Sequence, residues 1–168
     1  NYDNKLKTKN FDFNISVKTF GKTEIGYVYE YNLFRKYLNI DFRNYGKSGI
    51  EIRGYPTENL TFGFEGKIGK QIAFNEEIPK IGKEKSLFFN LAYRLGNNIN
   101  LSSSINYSRL ENLDSNKAIY DGYISRLSFR YQFNNDLSIR LVSEYNKFND
   151  TFLFQPLLKW NPLSLIHI

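Results

Sequence analysis

Hydrophobic and polar side chains alternate, residue by residue, along most of the chain. The pattern is clearest between Ile119 and Phe148. Ile119, Tyr123, Leu127, Phe129, Tyr131 and Phe133 take odd positions, with Tyr120, Gly122, Ile124, Arg126, Ser128, Arg130 and Gln132 between them. A period of two puts successive side chains on opposite sides of an extended backbone. A helix would space its apolar residues by three and four instead. Asn134-Asn135-Asp136 interrupts the run with turn-forming residues. The alternation resumes with Leu137, Ile139, Leu141 and Tyr145 against Ser138, Arg140, Glu144 and Asn146. The stretch predicts two long antiparallel strands joined by a tight turn.

The same reading marks ten extended segments: 10–20, 23–34, 37–45, 49–55, 59–74, 87–95, 99–109, the two strands of the hairpin just described, and 152–160. Turns are expected at Gly21-Lys22, at 35–36, at Gly46-Lys47-Ser48-Gly49, at Tyr55-Pro56-Thr57-Glu58-Asn59 and at Gly96-Asn97-Asn98. Longer polar loops are expected over 75–86 and over Leu110 to Lys117. The segment 59–74 carries Leu60, Phe62, Phe64, Ile68, Ile72 and Phe74 on one side and Asn59, Thr61, Gly63, Glu65, Lys67, Gly69 and Gln71 on the other. At about 3.3 Å per residue its fifteen or so residues span roughly 50 Å. Strands of soluble sheets are mostly about five or six residues long.

Alternation suits two architectures. In a sandwich the apolar faces meet across a core and the polar faces meet water. In an outer-membrane barrel the apolar face meets lipid and the polar face lines the lumen. Long strands, a polar face rich in Gly, Ser, Asn and Gln, and aromatic residues near strand ends favour the barrel. So do short connections at every second junction, at 34–36, 56–59, 96–98 and 134–136. The fold class expected is all-β: an antiparallel up-and-down meander forming part of an outer-membrane-type β-barrel, as a single domain over 1–168 with no internal boundary.

Composition sharpens this in a few places. Aromatic residues make up 17% of the chain, with Tyr 13 and Phe 15, as strands favour. Cysteine is absent, which removes disulfides and thiolate metal sites. No apolar run reaches the length of a membrane-spanning helix, which leaves strand-built spans open. The formal charge is +6, but the basic residues are scattered along the polar positions. A nucleic-acid binder would gather them into a patch, so no nucleic-acid partner is expected. The opening at Asn1 and the apolar ending Leu163-Ser164-Leu165-Ile166-His167-Ile168 read as a piece of a longer protein.

Candidate chemistry is sparse. His167 is alone and has no ligand partner in sequence. Glu24 with Glu30, Glu51 with Arg53, and Asp41 with Arg43 share strand faces, which fits cross-strand ion pairing better than acid–base work. Arg126, Arg130, Arg140 and Glu144 project to one polar face, where they would stiffen a small barrel or filter solutes by sign; stiffening is the expectation. Gly63, Gly66 and Gly69 lack the Lys-Ser/Thr ending of a phosphate loop and suit bending or close approach. Tyr27, Tyr29 and Tyr31 share a face, as a lipid belt or a sugar-stacking platform would require. The sequence therefore names no catalytic, cofactor-binding or metal residue and no cofactor.

One resemblance adds to this. Tyr131-Gln132-Phe133-Asn134-Asn135-Asp136-Leu137-Ser138-Ile139-Arg140-Leu141, then Glu144-Tyr145-Asn146-Lys147-Phe148, then Phe154-Gln155-Pro156-Leu157-Leu158-Lys159-Trp160 resembles the C-terminal β-barrel domain of an uncharacterised Bacteroidota family. Members of that family carry an N-terminal module similar to the family-nine carbohydrate-binding type. Tyr55-Pro56-Thr57-Glu58-Asn59-Leu60 fits more loosely. The resemblance implies an outer-membrane domain that anchors, or provides a conduit for, an extracytoplasmic sugar-related module, with the lipid bilayer as partner and carbohydrate reached only through that module. It supplies no catalytic residues. The alternatives are a soluble carbohydrate-binding β-sandwich, part of a glycoside-processing enzyme, or a solute transporter. Oligomeric state is left open.

Overall fold

The computed structural model describes residues 7–19, 21–74 and 76–161. His167 and the apolar tail from Leu163 to Ile168 lie outside them. Nine strands run in order: β1 (Thr8–Thr19), β2 (Thr23–Tyr37), β3 (Ile40–Thr57), β4 (Leu60–Ala73), β5 (Lys80–Leu95), β6 (Ile99–Asn112), β7 (Ala118–Gln132), β8 (Leu137–Asn146) and β9 (Thr151–Trp160). They form one antiparallel sheet in chain order, each strand bonded to its neighbours in sequence. Among the described residues the sheet does not close: β1 and β9 are its two edges. The all-β meander expected from the alternation is what the chain forms, as an open, partial barrel.

Nine strands rather than ten reflects one correction. The segments 37–45 and 49–55 are a single 18-residue strand, β3. Gly46 and Gly49 had the look of turn residues, but both lie within the ladder. Their missing side chains serve close packing instead: a Cβ on Gly46 would run into the Glu30 carbonyl, and one on Gly49 into the Gly66 carbonyl. Asn44, with φ at 54°, marks an irregularity in the strand without ending it.

Other boundaries move too. The turn expected at 35–36 falls at Leu38-Asn39, both with positive φ. Tyr55, Pro56 and Thr57 stay in β3, so the next turn is only Glu58-Asn59. The two longer connections shrink to 74–79 and 113–117. In 80–86 both faces carry charge, so hydropathy shows no alternation, yet pairing continues from Ala73↔Lys80 to Lys67↔Ser86. Merging the two segments also moves the turn after β2 to the opposite side of the meander. One end of the sheet carries the connections at 20–22, 58–59, 96–98 and 133–136; the other carries 38–39, 74–79, 113–117 and 147–150.

Register fixes the two faces. Phe13↔Tyr29, Ile15↔Tyr27, Tyr27↔Ile50, Ile52↔Phe64, Phe64↔Phe89 and Phe129↔Leu141 are directly opposed, which assembles an apolar face, charged only toward the longer connections, where Lys83, Lys85, Arg109 and Asp121 lie on the same side. The intervening residues form the polar face. Every buried strand residue of β5–β8 lies on the polar side: Gly82, Glu84, Leu110, Gly122 and Val142. The sheet therefore curls with its polar face inward and its apolar face outward. Among the described residues the strands make a single layer, and Ile15, Ile50, Ile68 and Leu127 stand exposed.

A small core survives at the end with the longer connections. Phe42, Tyr45 and Ile72 are buried together, with Tyr37, Ile40 and Ile81 against them. Tyr37 meets Phe74 edge-on, with ring centroids 4.9 Å apart. This cluster holds the β2–β3 turn and the start of β5 in place.

Candidate functional site

The polar face holds the larger concentration of sheltered charge among the described residues; a smaller one, Arg109 with Glu111 and Asp121, lies on the outward side. Its centre is a row across six strands: Glu30 on β2, Lys47 on β3, Gly69 on β4, Glu84 on β5, Leu110 on β6 and Tyr120 on β7. Glycine at position 69 removes the side chain that would separate Lys47 from Glu84. Lys47 Nζ consequently reaches Glu84 Oε2 at 3.0 Å, over the top of β4. Glu84 also accepts a hydrogen bond from Ser108 Oγ at 3.2 Å, with the Tyr120 hydroxyl at 3.5 Å.

The row extends sideways through Lys67, which contacts Glu30 at 2.8 Å and Glu65 at 2.9 Å. Glu30 lies 3.9 Å from Lys47 as well. The Glu84 side chain is only 9% exposed, so its charge needs this set of partners. Beside the ladder lies an open cavity of about 530 Å³, lined by Glu30, Arg35, Glu51, Arg53, Glu65 and Lys67 among others.

A second region of the same face behaves differently. Arg130 and Arg140 are directly opposed on β7 and β8, and Asn100 separates Arg130 from Arg94. Arg94 Nε donates to Asn100 Oδ1 at 3.3 Å. Among the described residues none of these three arginines forms an ion pair with a carboxylate. Of the four residues expected to form a charged network here, only Arg126 and Glu144 pair, at 3.6 Å. Cross-strand ion pairing is found instead in the Glu30–Lys47–Glu84 ladder, which spacing along one strand cannot reveal because its members lie on different strands.

The other sequence candidates fall apart or stay local. Glu24 and Glu30 are six residues apart on β2, about 20 Å. Glu24 takes the Ser16 hydroxyl while Glu30 serves the two lysines. Arg43 pairs with Asp41 at 3.7 Å and Arg53 with Glu51, each within its own strand. Gly63 and Gly69 face the polar side and Gly66 the apolar side. Tyr27, Tyr29 and Tyr31 do share a face, the apolar one, with Tyr29 and Tyr31 stacked at 6.1 Å.

The apolar face carries a hollow of about 580 Å³ over Gly66, between Tyr27, Ile50, Phe64, Ile68 and Leu87. Among the described residues no three His, Cys, Asp or Glu side chains converge as a metal site would require. No family model, curated protein or solved structure matches the chain.

Proposed function

We propose that this chain is part of an outer-membrane β-barrel, with its apolar face on lipid tails and its polar face on a lumen. Its role is that of an anchor or conduit for an attached extracytoplasmic sugar-related module, as the resemblance over 131–160 implies. It performs no reaction of its own.

One observation carries the membrane reading: the sheet is inverted relative to a water-soluble one. Glu51 is a charged residue whose side chain is 17% exposed, while its neighbour Ile50 is 53% exposed. Burying charge and exposing aliphatic surface is unfavourable in water. Lipid reverses both costs, since hydrocarbon receives Ile50 and a hydrated lumen receives Glu51. The strands, 10 to 18 residues long, also meet the nine to eleven residues that a tilted spanning strand needs. A soluble sandwich would cover Ile50, Ile68 and Leu127 with a second sheet, and the described strands supply only one layer. In lipid the edges of β1 and β9 require strand partners, because unpaired backbone groups are costly there.

The test uses the absence of native cysteine. Single cysteines at Leu60, Ile68, Leu127 and Leu141, and at Lys67 and Arg126, would be spin-labelled in the chain folded into vesicles. Lipid-soluble relaxants reach the first group and aqueous ones the second. Equal aqueous access at both groups would end the membrane reading.

A further inference from the structure

The arginine row at the short-connection end of the polar face has no carboxylate partner among the described residues. Arg130 and Arg140 are cross-strand neighbours of like charge, an arrangement that destabilises a sheet. Arg94 lies in the same row, so the three span about 14 Å across three strand spacings. The rows on either side are Ala92-Ser102-Ser128-Val142-Gln155 and Gln132-Ser138-Lys159. They add hydroxyl and amide donors and one more cation, but no carboxylate. Glu144, the nearest strand carboxylate on this face, already faces Arg126, and Asp136 and Glu58 lie in the turns beyond, with no ion pair to these arginines among the described residues.

Contrast this with the ladder on β2–β5, where each lysine meets a glutamate. There the sheet neutralises its own charge; at the arginine row it does not. A guanidinium presents a planar fork that matches the oxygens of a phosphate or carboxylate. Arginine rings on a lumen wall select anions by the same chemistry.

We infer that Arg94, Arg130 and Arg140 form a binding site for a small soluble oxyanion, a phosphate- or carboxylate-bearing solute. Ser102, Ser128 and Ser138 supply further donors around it. The site belongs to the polar face and stands whether or not lipid covers the other one.

The probe is inorganic phosphate, titrated at low ionic strength into the chain folded in an uncharged maltoside detergent. Arginine Nε–Hε resonances report the site. Those of Arg94, Arg130 and Arg140 shift and saturate, while those of Arg53 and Arg109, each already paired with a carboxylate, stay in place. Arg130→Gln and Arg140→Gln each weaken phosphate binding about tenfold or more, and Arg126→Gln changes it by less than about twofold. Circular dichroism verifies that each variant keeps its strands, which loss of a like-charge contact should not disturb. The inference fails if chloride at matched ionic strength shifts all arginines alike, or if neither glutamine variant loses affinity. It also fails if the resonances answer to a short-chain phosphatidyl lipid but not to free phosphate, which would make the ligand a headgroup.

Discussion

Lys47 and Glu84 form a 3.0 Å ion pair although β4 runs between their strands. The bridge is possible because residue 69, directly between them in the row, is glycine. A Cβ there would fall on the Lys47 backbone and its own Cβ. Gly69→Ala should therefore force β3 and β4 apart and cost about 1–3 kcal/mol, as overpacking does. Gly66→Ala is the control. Its Cβ would meet only the Phe64 ring, at 3.4 Å, and stability should stay within about 0.5 kcal/mol. Urea unfolding in detergent, followed by circular dichroism, distinguishes the two; equal effects would remove the special role of position 69.

Breaking the pair from one side should cost more than removing it. Lys47→Met leaves a carboxylate sheltered without its main cation, and Glu84→Leu leaves the lysine in the same position. Each should lose about 3–5 kcal/mol, whereas the double variant should recover much of that loss. Ser108 and Tyr120 still donate to Glu84 when Lys47 is replaced, and Glu30 still faces Lys47 when Glu84 is. A double-mutant cycle measures the coupling, and additive losses would mean that the two charges do not depend on each other.

The Arg126–Glu144 pair gives the opposite case. It is longer, at 3.6 Å, and its arginine side chain is 49% exposed. Solvent screens such a pair, so Glu144→Gln should cost less than about 1 kcal/mol. A loss as large as that of Glu84→Leu would show that this hairpin is drier than its exposure indicates.

Charge placed on the outward face provides a further test. Ile105→Arg, in the uncharged outward row Ile52-Phe64-Phe89-Ile105, should cost about 2–4 kcal/mol when the chain folds into a bilayer. Asn106→Arg, on the polar face, should cost little. In a water-soluble sheet with an open outer face, both substitutions would be close to neutral. Folding yield in vesicles against urea reads the difference.

Phe148 offers a test of how the connections hold the polar face. It leaves the β8–β9 connection and covers Gly122, with its ring 6.0 Å from Tyr120. Gly122→Val would require that ring to move. The expected result is a loss of about 1–3 kcal/mol, along with a changed near-ultraviolet signal from the aromatic pair.

The strand content and the assignment of residues to two faces were legible in the sequence, because a period of two is written directly into Leu60, Phe62, Phe64 and their polar neighbours. The turns at Gly21-Lys22 and at 134–136 were legible for a similar reason, since local backbone chemistry selects their residues. The start of β5, over 80–86, was not, because Lys83, Glu84 and Lys85 are charged on both faces and hydropathy falls silent where pairing continues. Gly46 and Gly49 misled for a physical reason too: a glycine that permits a turn and one that admits a neighbouring strand are the same residue, and only the neighbour tells them apart.

Curvature was indicated only indirectly, by strand length and the spacing of short connections, and not by the alternation itself. Alternation is identical whether a polar face bows outward to water or inward around a lumen, since it records sides and not their sign. That sign comes from how the strands coil together, from glycines that let β3 and β4 approach, and from Lys47 reaching across a strand to Glu84. The chain by itself determined that there would be two faces of opposite character. Only the assembled sheet decided that the charged one would be sheltered and the greasy one left outside.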